Sequence, residues 1–113
     1  MSERASNDKI YLGNLLAYYE SFLTEKQREY MRLYYQEDYS LQEIADIYHV
    51  SRAGIHTQIK HAQNKLLSFE TQLHTHVVAQ DILPSLEEAL NERDWLQVEA
   101  NISKLKEIIK GME

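Results

Sequence analysis

Between Ser40 and Lys60 the chain runs SLQEIADIYHVSRAGIHTQIK, and this stretch constrains the fold more than any other. Ser40 and Glu43 form an S-x-x-E capping box, in which each side chain satisfies an orphan backbone N–H at a helix start. Leu41, Ile44, Ala45 and Tyr48 follow at helical spacing on one face. Ala45 is small where a second helix has to cross closely. His49-Val50-Ser51 breaks the helix; His49 is expected in a left-handed backbone and Val50 as a plug between the helices. Ser51 is a good N-cap for a second helix, whose Ile55, Ile59 and Ala62 face inward. Two crossed helices joined by such a turn form a helix-turn-helix, which places its second helix in a DNA major groove.

The rest of the chain points to an all-α protein. It has three glycines and one proline in 113 residues, and no strand-type alternation bounded by turn clusters. That length holds one compact domain, or a small domain plus an extension, with part of the stability expected from self-association. The absence of cysteine removes disulfides and thiolate zinc sites. No apolar run is long enough for a bilayer. The start, MSERASNDK, is polar and lacks the apolar core of a signal peptide. These features predict a cytoplasmic protein with no membrane partner.

Residues 1–7 are expected to be disordered. A first helix is predicted from about Asp8 to Phe22, with Leu12, Leu15, Leu16, Tyr19, Phe22 and Leu23 on one stripe. Thr24 and Gln27 form a second capping box, T-x-x-Q, opening a helix to about Gln36 with Tyr30, Met31, Leu33 and Tyr34 inward. The second helix of the helix-turn-helix meets no breaker after Gly54 until Pro84, so it is expected to continue past Phe69. Leu86, Ala89 and Leu90 then suggest one helix. Asp94 and Gln97 cap a last one, with Val98, Ile102, Leu105 and Ile109 as its apolar stripe. All eight tyrosines precede residue 49, and the single tryptophan is Trp95. This shift predicts a helix-turn-helix domain over 8–69 and a helical extension over 70–113, read as a dimerisation element.

The net charge of −6 is unevenly spread. Residues 1–46 hold nine acids and five bases, and residues 70–113 hold nine acids and four bases. Residues 47–69 carry Arg52, Lys60 and Lys65 and no acid. An acidic body with one basic face disfavours loose, non-specific DNA binding and permits specific or dimer-dependent binding. With Ile55, Ile59 and Ala62 inward, Arg52, Ala53, His56, Thr57 and Lys60 point out. Arg can pair bidentately with guanine, and Ala and Thr can touch a thymine methyl. Lys60 and Lys65, further along, suit phosphates. Ser51, at the helix start, can donate to a phosphate beside the free N–H groups. Lys26 and Arg28 either touch the nucleic-acid backbone or are solvated first-turn residues.

Other chemistry finds little support. Tyr18, Tyr19, Tyr30, Tyr34 and Tyr35 have the spacing of half-buried core residues rather than of stacking platforms. His56 and His61 are five apart and His74 and His76 two apart, so neither pair has the i, i+4 spacing of metal ligands on a helix. No nucleophile–base set, phosphate loop or catalytic carboxylate pair stands out. The chain is therefore read as non-enzymatic, with no cofactor, metal or small-molecule substrate.

LTEKQREYMRLYY followed by SLQEIADIYHVSR resembles region 4 of sigma factors. YYQEDYSLQEIA, VSR and IKH before a long helix resemble more closely the YlxM family of small bacterial proteins. The resemblance covers about residues 10–75. It implies a sigma region 4-like, winged-helix-free helix-turn-helix with a long recognition helix and a helical C-terminal extension. Genes of that family usually lie beside those of the signal recognition particle GTPases, which implies a regulatory or accessory role in that pathway. After VSR the family's motif runs close to QAVYDNIKR. Here Ala53 to His61 read AGIHTQIKH, keeping the inward positions and changing the outward ones. Three readings follow: a dimeric DNA-binding regulator, an accessory protein meeting the particle's RNA or GTPase, and a structural interaction module without nucleic acid.

Overall fold

The structure, a computed structural model, describes the backbone of residues 2–112 and the side chains of residues 8–112, so the disorder expected over 1–7 falls outside the residues described in full. Among the described residues all regular structure is helical. The order is α1 (Ser2–Tyr19), a 3-10 turn (Glu20–Phe22), α2 (Glu25–Tyr35), α3 (Leu41–Tyr48), α4 (Arg52–Leu73), α5 (Thr75–Val77), a π turn (Val78–Ile82), α6 (Leu83–Asn91) and α7 (Trp95–Met112). This is the all-α helix-turn-helix architecture, with a long second helix and a helical extension. The chain divides into two compact units, Met1–Phe69 and Glu70–Glu113.

In the first unit, local signals set each helix boundary. Both capping boxes form. The Thr24 hydroxyl accepts from Gln27 N–H while Thr24 N–H donates to the Gln27 side chain, and Ser40 and Glu43 do the same for α3. Such a reciprocal box is worth about 1 kcal/mol. α2 closes where Asp38 takes φ 57° and Tyr39 N–H reaches the Leu33 carbonyl at 3.0 Å. The first helix tightens into the 3-10 turn over its last residues instead of running to Phe22 as an α-helix. Phe22 is consequently 58% exposed, although its ring lies 5.3 Å from that of Phe69.

The core of this unit joins all four helices. Leu15, Leu16 and Tyr19 come from α1, Leu23 from the loop, Tyr30 and Met31 from α2, Ile44 and Ala45 from α3, and Ile55, Ile59, Ala62 and Leu66 from α4. Leu12, Leu33, Tyr34, Tyr48 and Phe69 pack around it. The inward positions expected for each helix, Phe22 excepted, therefore coincide in one cluster. Ile55 is wholly buried, so truncation to alanine costs about 2–5 kcal/mol.

α4 stops at Leu73, with no glycine or proline to end it. His74 adopts φ 56°. The buried Glu70 accepts from His76 N–H at 3.0 Å and from Val77 N–H at 3.1 Å. A carboxylate from the preceding helix thus caps the new helix start and replaces a local stop signal. Pro84 lies inside the helical run rather than at a break. The wide π turn before it accommodates a ring that would clash with the preceding turn of a regular helix.

In the second unit α6 and α7 form a helical hairpin. Arg93 turns at φ 56°, Asp94 N–H reaches the Ala89 carbonyl at 2.8 Å, and Asp94 Oδ1 accepts from Gln97 N–H at 3.3 Å. The covered positions of α7 are Val98, Asn101, Leu105 and Ile108. This corrects the expected stripe: Ile102 and Ile109 are 40% and 58% exposed. The physical reason is Asn101. Its amide donates to Ser85 Oγ at 3.1 Å and to the Gln97 carbonyl at 2.9 Å, so hydrogen bonding brings a polar residue onto the inner face.

Candidate nucleic-acid interface

α3 presents α4 through a short, closely specified turn. His49 sits at φ 57°, ψ 43°, in the left-handed region. That conformation lets both His49 N–H and Val50 N–H reach the Ala45 carbonyl, the latter at 3.1 Å. Ser51 then caps α4: its Oγ accepts from Gly54 N–H at 2.9 Å, and its carbonyl from Ile55 N–H at 3.1 Å. A Cβ at Gly54 would lie 3.1 Å from that hydroxyl oxygen. The small residue thus lets the cap sit tightly against the first turn. Val50 does not plug the helix pair. It is 47% exposed, because the left-handed turn at His49 redirects the chain and leaves Ile44, Ala45 and Ile55 to fill the crossing.

With Ile55, Ile59 and Ala62 buried, the first two turns of α4 present Arg52, Ala53, His56, Thr57 and Lys60, all exposed. Ser51 is exposed beside them, its hydroxyl engaged as the cap. Six of the seven expected site residues therefore share the exposed N-terminal half of α4 or its cap. Lys60 also edges a cleft with Asp8, Tyr11 and Leu12 of α1. Lys65 is separate. It is half-buried, and its Nζ donates to Gln27 Oε1 at 3.1 Å.

The basic residues of α2 also have work inside the fold. Arg28 donates to the Glu20 carbonyl at 3.1 Å and to the Leu23 carbonyl at 3.4 Å, bracing the 3-10 turn at its first residue and at its cap. Arg32 pairs with both Glu20 oxygens at 2.7 and 3.2 Å. That contact holds the Glu20 carboxyl below the ordinary carboxylate value, mainly through the hydrogen bond from Arg32. Lys26 Nζ stands 4.7 Å from the centre of the Tyr48 ring. Tyr48 packs edge-on against Tyr30 and donates to Glu29 Oε2 at 2.9 Å. Its phenol is pushed up, first by burial and then by that bond to Glu29. These contacts lock α3 onto α2, and Gln63 donating to the Tyr35 hydroxyl at 2.6 Å locks α4 onto α2.

Gln27 as a shared acceptor and the Tyr35–Gln63 and Tyr48–Glu29 pairs leave no signature in the sequence. Their partners lie 38, 28 and 19 residues apart, beyond any local pattern. Among the described residues no group of three or more His, Asp or Glu side chains is placed to hold a metal ion. No helix there is long and apolar enough to cross a membrane.

The family described as "Putative helix-turn-helix protein, YlxM / p13 like", UPF0122, matches residues 6–109. Similar proteins include UPF0122 protein OB1530 of Oceanobacillus iheyensis, 37% identical over 97 residues, 86% of this chain and 92% of that one. A UPF0122 protein of Clostridium acetobutylicum is 37% identical over 109 residues, 93% and 94% of the two chains. One from Pediococcus pentosaceus is 48% identical over 72 residues, 64% and 62%. The capped α3, the left-handed turn and the long α4 agree with that description, and the chain belongs to the UPF0122, YlxM / p13-like family of helix-turn-helix proteins.

Proposed function

We propose that this protein is a non-enzymatic, DNA-binding regulator that inserts the N-terminal half of α4 into a major groove. The observation that carries the reading is the exposed, acid-free face of that half: Ala53, Thr57 and Lys60 stand opposite the buried Ile55, Ile59 and Ala62, and Arg52 and His56 are exposed on the adjoining flank. Arg52 and His56 are the base-reading donors, Ala53 and Thr57 the thymine-methyl contacts, and Lys60 a phosphate contact. The start of α4 offers backbone N–H groups to a phosphate beside Ser51. Lys65 supports the face from behind through Gln27.

Because the chain is acidic overall, one small basic face gives weak binding alone, and two copies double its phosphate contacts. Two such faces in a symmetric dimer predict half-sites about one helical turn, ~34 Å, apart.

The test is competition binding of the full chain against a random-sequence duplex DNA pool, signal recognition particle RNA and the purified GTPase of that particle, repeated with an Arg52→Ala/Lys60→Ala variant. DNA binding that the double variant abolishes supports the reading. Unchanged affinity in the double variant discards the helix-in-groove geometry. Preference for the RNA or the GTPase replaces it with the accessory role that the sequence resemblance implies.

A further inference from the structure

We propose that α7 carries a self-association seam, through which two copies of this chain pair antiparallel along Trp95, Ile102 and Ile109. The inference is independent of what α4 contacts.

Trp95, Val98, Ile102, Leu105, Ile109 and Met112 recur at alternating spacings of three and four, the a and d positions of a heptad run along the whole of α7. The structure separates this run into two edges. Val98 and Leu105 are half-buried, on the side where Asn101 bonds Ser85 of α6. Trp95, Ile102 and Ile109 are 60%, 40% and 58% exposed. Their seven-residue spacing keeps them in one line along the flank.

Two further observations identify the occupant as a second copy. The first is the thin core of the second unit. Its buried apolar residues are Ile82 and Ala89, too few for a helical hairpin of this size to stand without further burial. The second is charge. Beyond the exposed line lie Glu99 and Lys106, themselves seven residues apart and of opposite sign. In an antiparallel pair with its two-fold axis beside Ser103 and Lys104, Ile102 layers with the partner copy's Leu105 and Val98 with its Ile109. The same register sets Glu99 of each copy against Lys106 of the other, twice by symmetry. A parallel pair would instead set Asp94 of one copy against Glu99 of the other, acid against acid. The charges therefore select the antiparallel pairing, and the apolar line supplies the contact.

Sedimentation of the full chain over a concentration series tests this, with emission from Trp95 as a second readout. Trp95 is the only tryptophan, and it lies at the end of the seam. The expected result is a dimer whose formation shifts the emission to the blue. Glu99→Lys and Lys106→Glu, each alone, should raise the dimer dissociation constant about tenfold, because each turns two attractive contacts repulsive. The Glu99→Lys/Lys106→Glu double variant should return it to within about twofold of the parent. Circular dichroism of these surface variants verifies that the helices persist. A monomer at every concentration overturns the proposal, as does a dimer that neither single reversal weakens. Failure of the double variant to rescue overturns the antiparallel register.

Discussion

One amide oxygen, Oε1 of Gln27, accepts from Lys65 Nζ at 3.1 Å and from Thr24 N–H at 3.2 Å. A single buried side chain thus closes the cap of α2 and pins α4, which carries the exposed basic face, against it. Lys65→Ala should lower stability by about 1–2 kcal/mol, since it removes a charge-assisted donor from a partly buried acceptor. Urea unfolding measures the loss. The salt dependence of nucleic-acid binding should stay unchanged, in contrast to Lys60→Ala. A lower salt slope would return Lys65 to the phosphate-contacting set.

Arg52 and Lys60 should fail in different ways if α4 enters a groove. Arg52→Ala should cost about 1–3 kcal/mol of binding and relax sequence preference at one position. Lys60→Ala should weaken all sequences alike and reduce the salt slope by about one. Binding to a selected duplex and to scrambled duplexes over a salt series separates the two patterns.

The left-handed His49 is the turn's point of strain, at φ 57°. His49→Gly should be neutral or stabilising by up to ~1 kcal/mol, because glycine reaches this conformation without a Cβ clash. A clear fall in melting temperature would show instead that the histidine side chain supports the turn.

The Arg32 guanidinium lowers the Glu20 carboxyl below its ordinary 4.5. A depressed carboxylate contributes stability that is complete above its unfolded value and is lost as pH falls through the folded one. The melting-temperature difference between the parent and Glu20→Gln should therefore be constant at neutral and mildly acid pH. It should shrink once pH falls below 4.5. The effect is small because the pair is partly exposed to solvent. A difference that grows with acid would contradict the assignment.

Features settled within one or two helical turns are legible in the amino-acid order. Ser40–Glu43 and Thr24–Gln27 form their boxes because cap and partner are three residues apart. His49 turns left-handed at the break after Tyr48, the backbone with which a helix end commonly closes on its own last carbonyls. Ile55, Ile59 and Ala62 face inward because their spacing is that of one helix face. What the candidate face exposes, Arg52 to Lys60, follows from that same spacing. The remaining features depend on contacts between distant parts of the chain. α4 ends at Leu73 because the Glu70 carboxylate caps the chain six and seven residues on, where no glycine or proline announces a stop. Lys65 turns to Gln27, 38 residues away. On α7, hydrophobicity favours Ile102 for the inner face, yet Asn101 lies there because Ser85 of α6 offers it a hydrogen bond. Periodicity specifies that a helix has an apolar side, but which flank is covered depends on a partner's shape and polar groups, which no local pattern encodes.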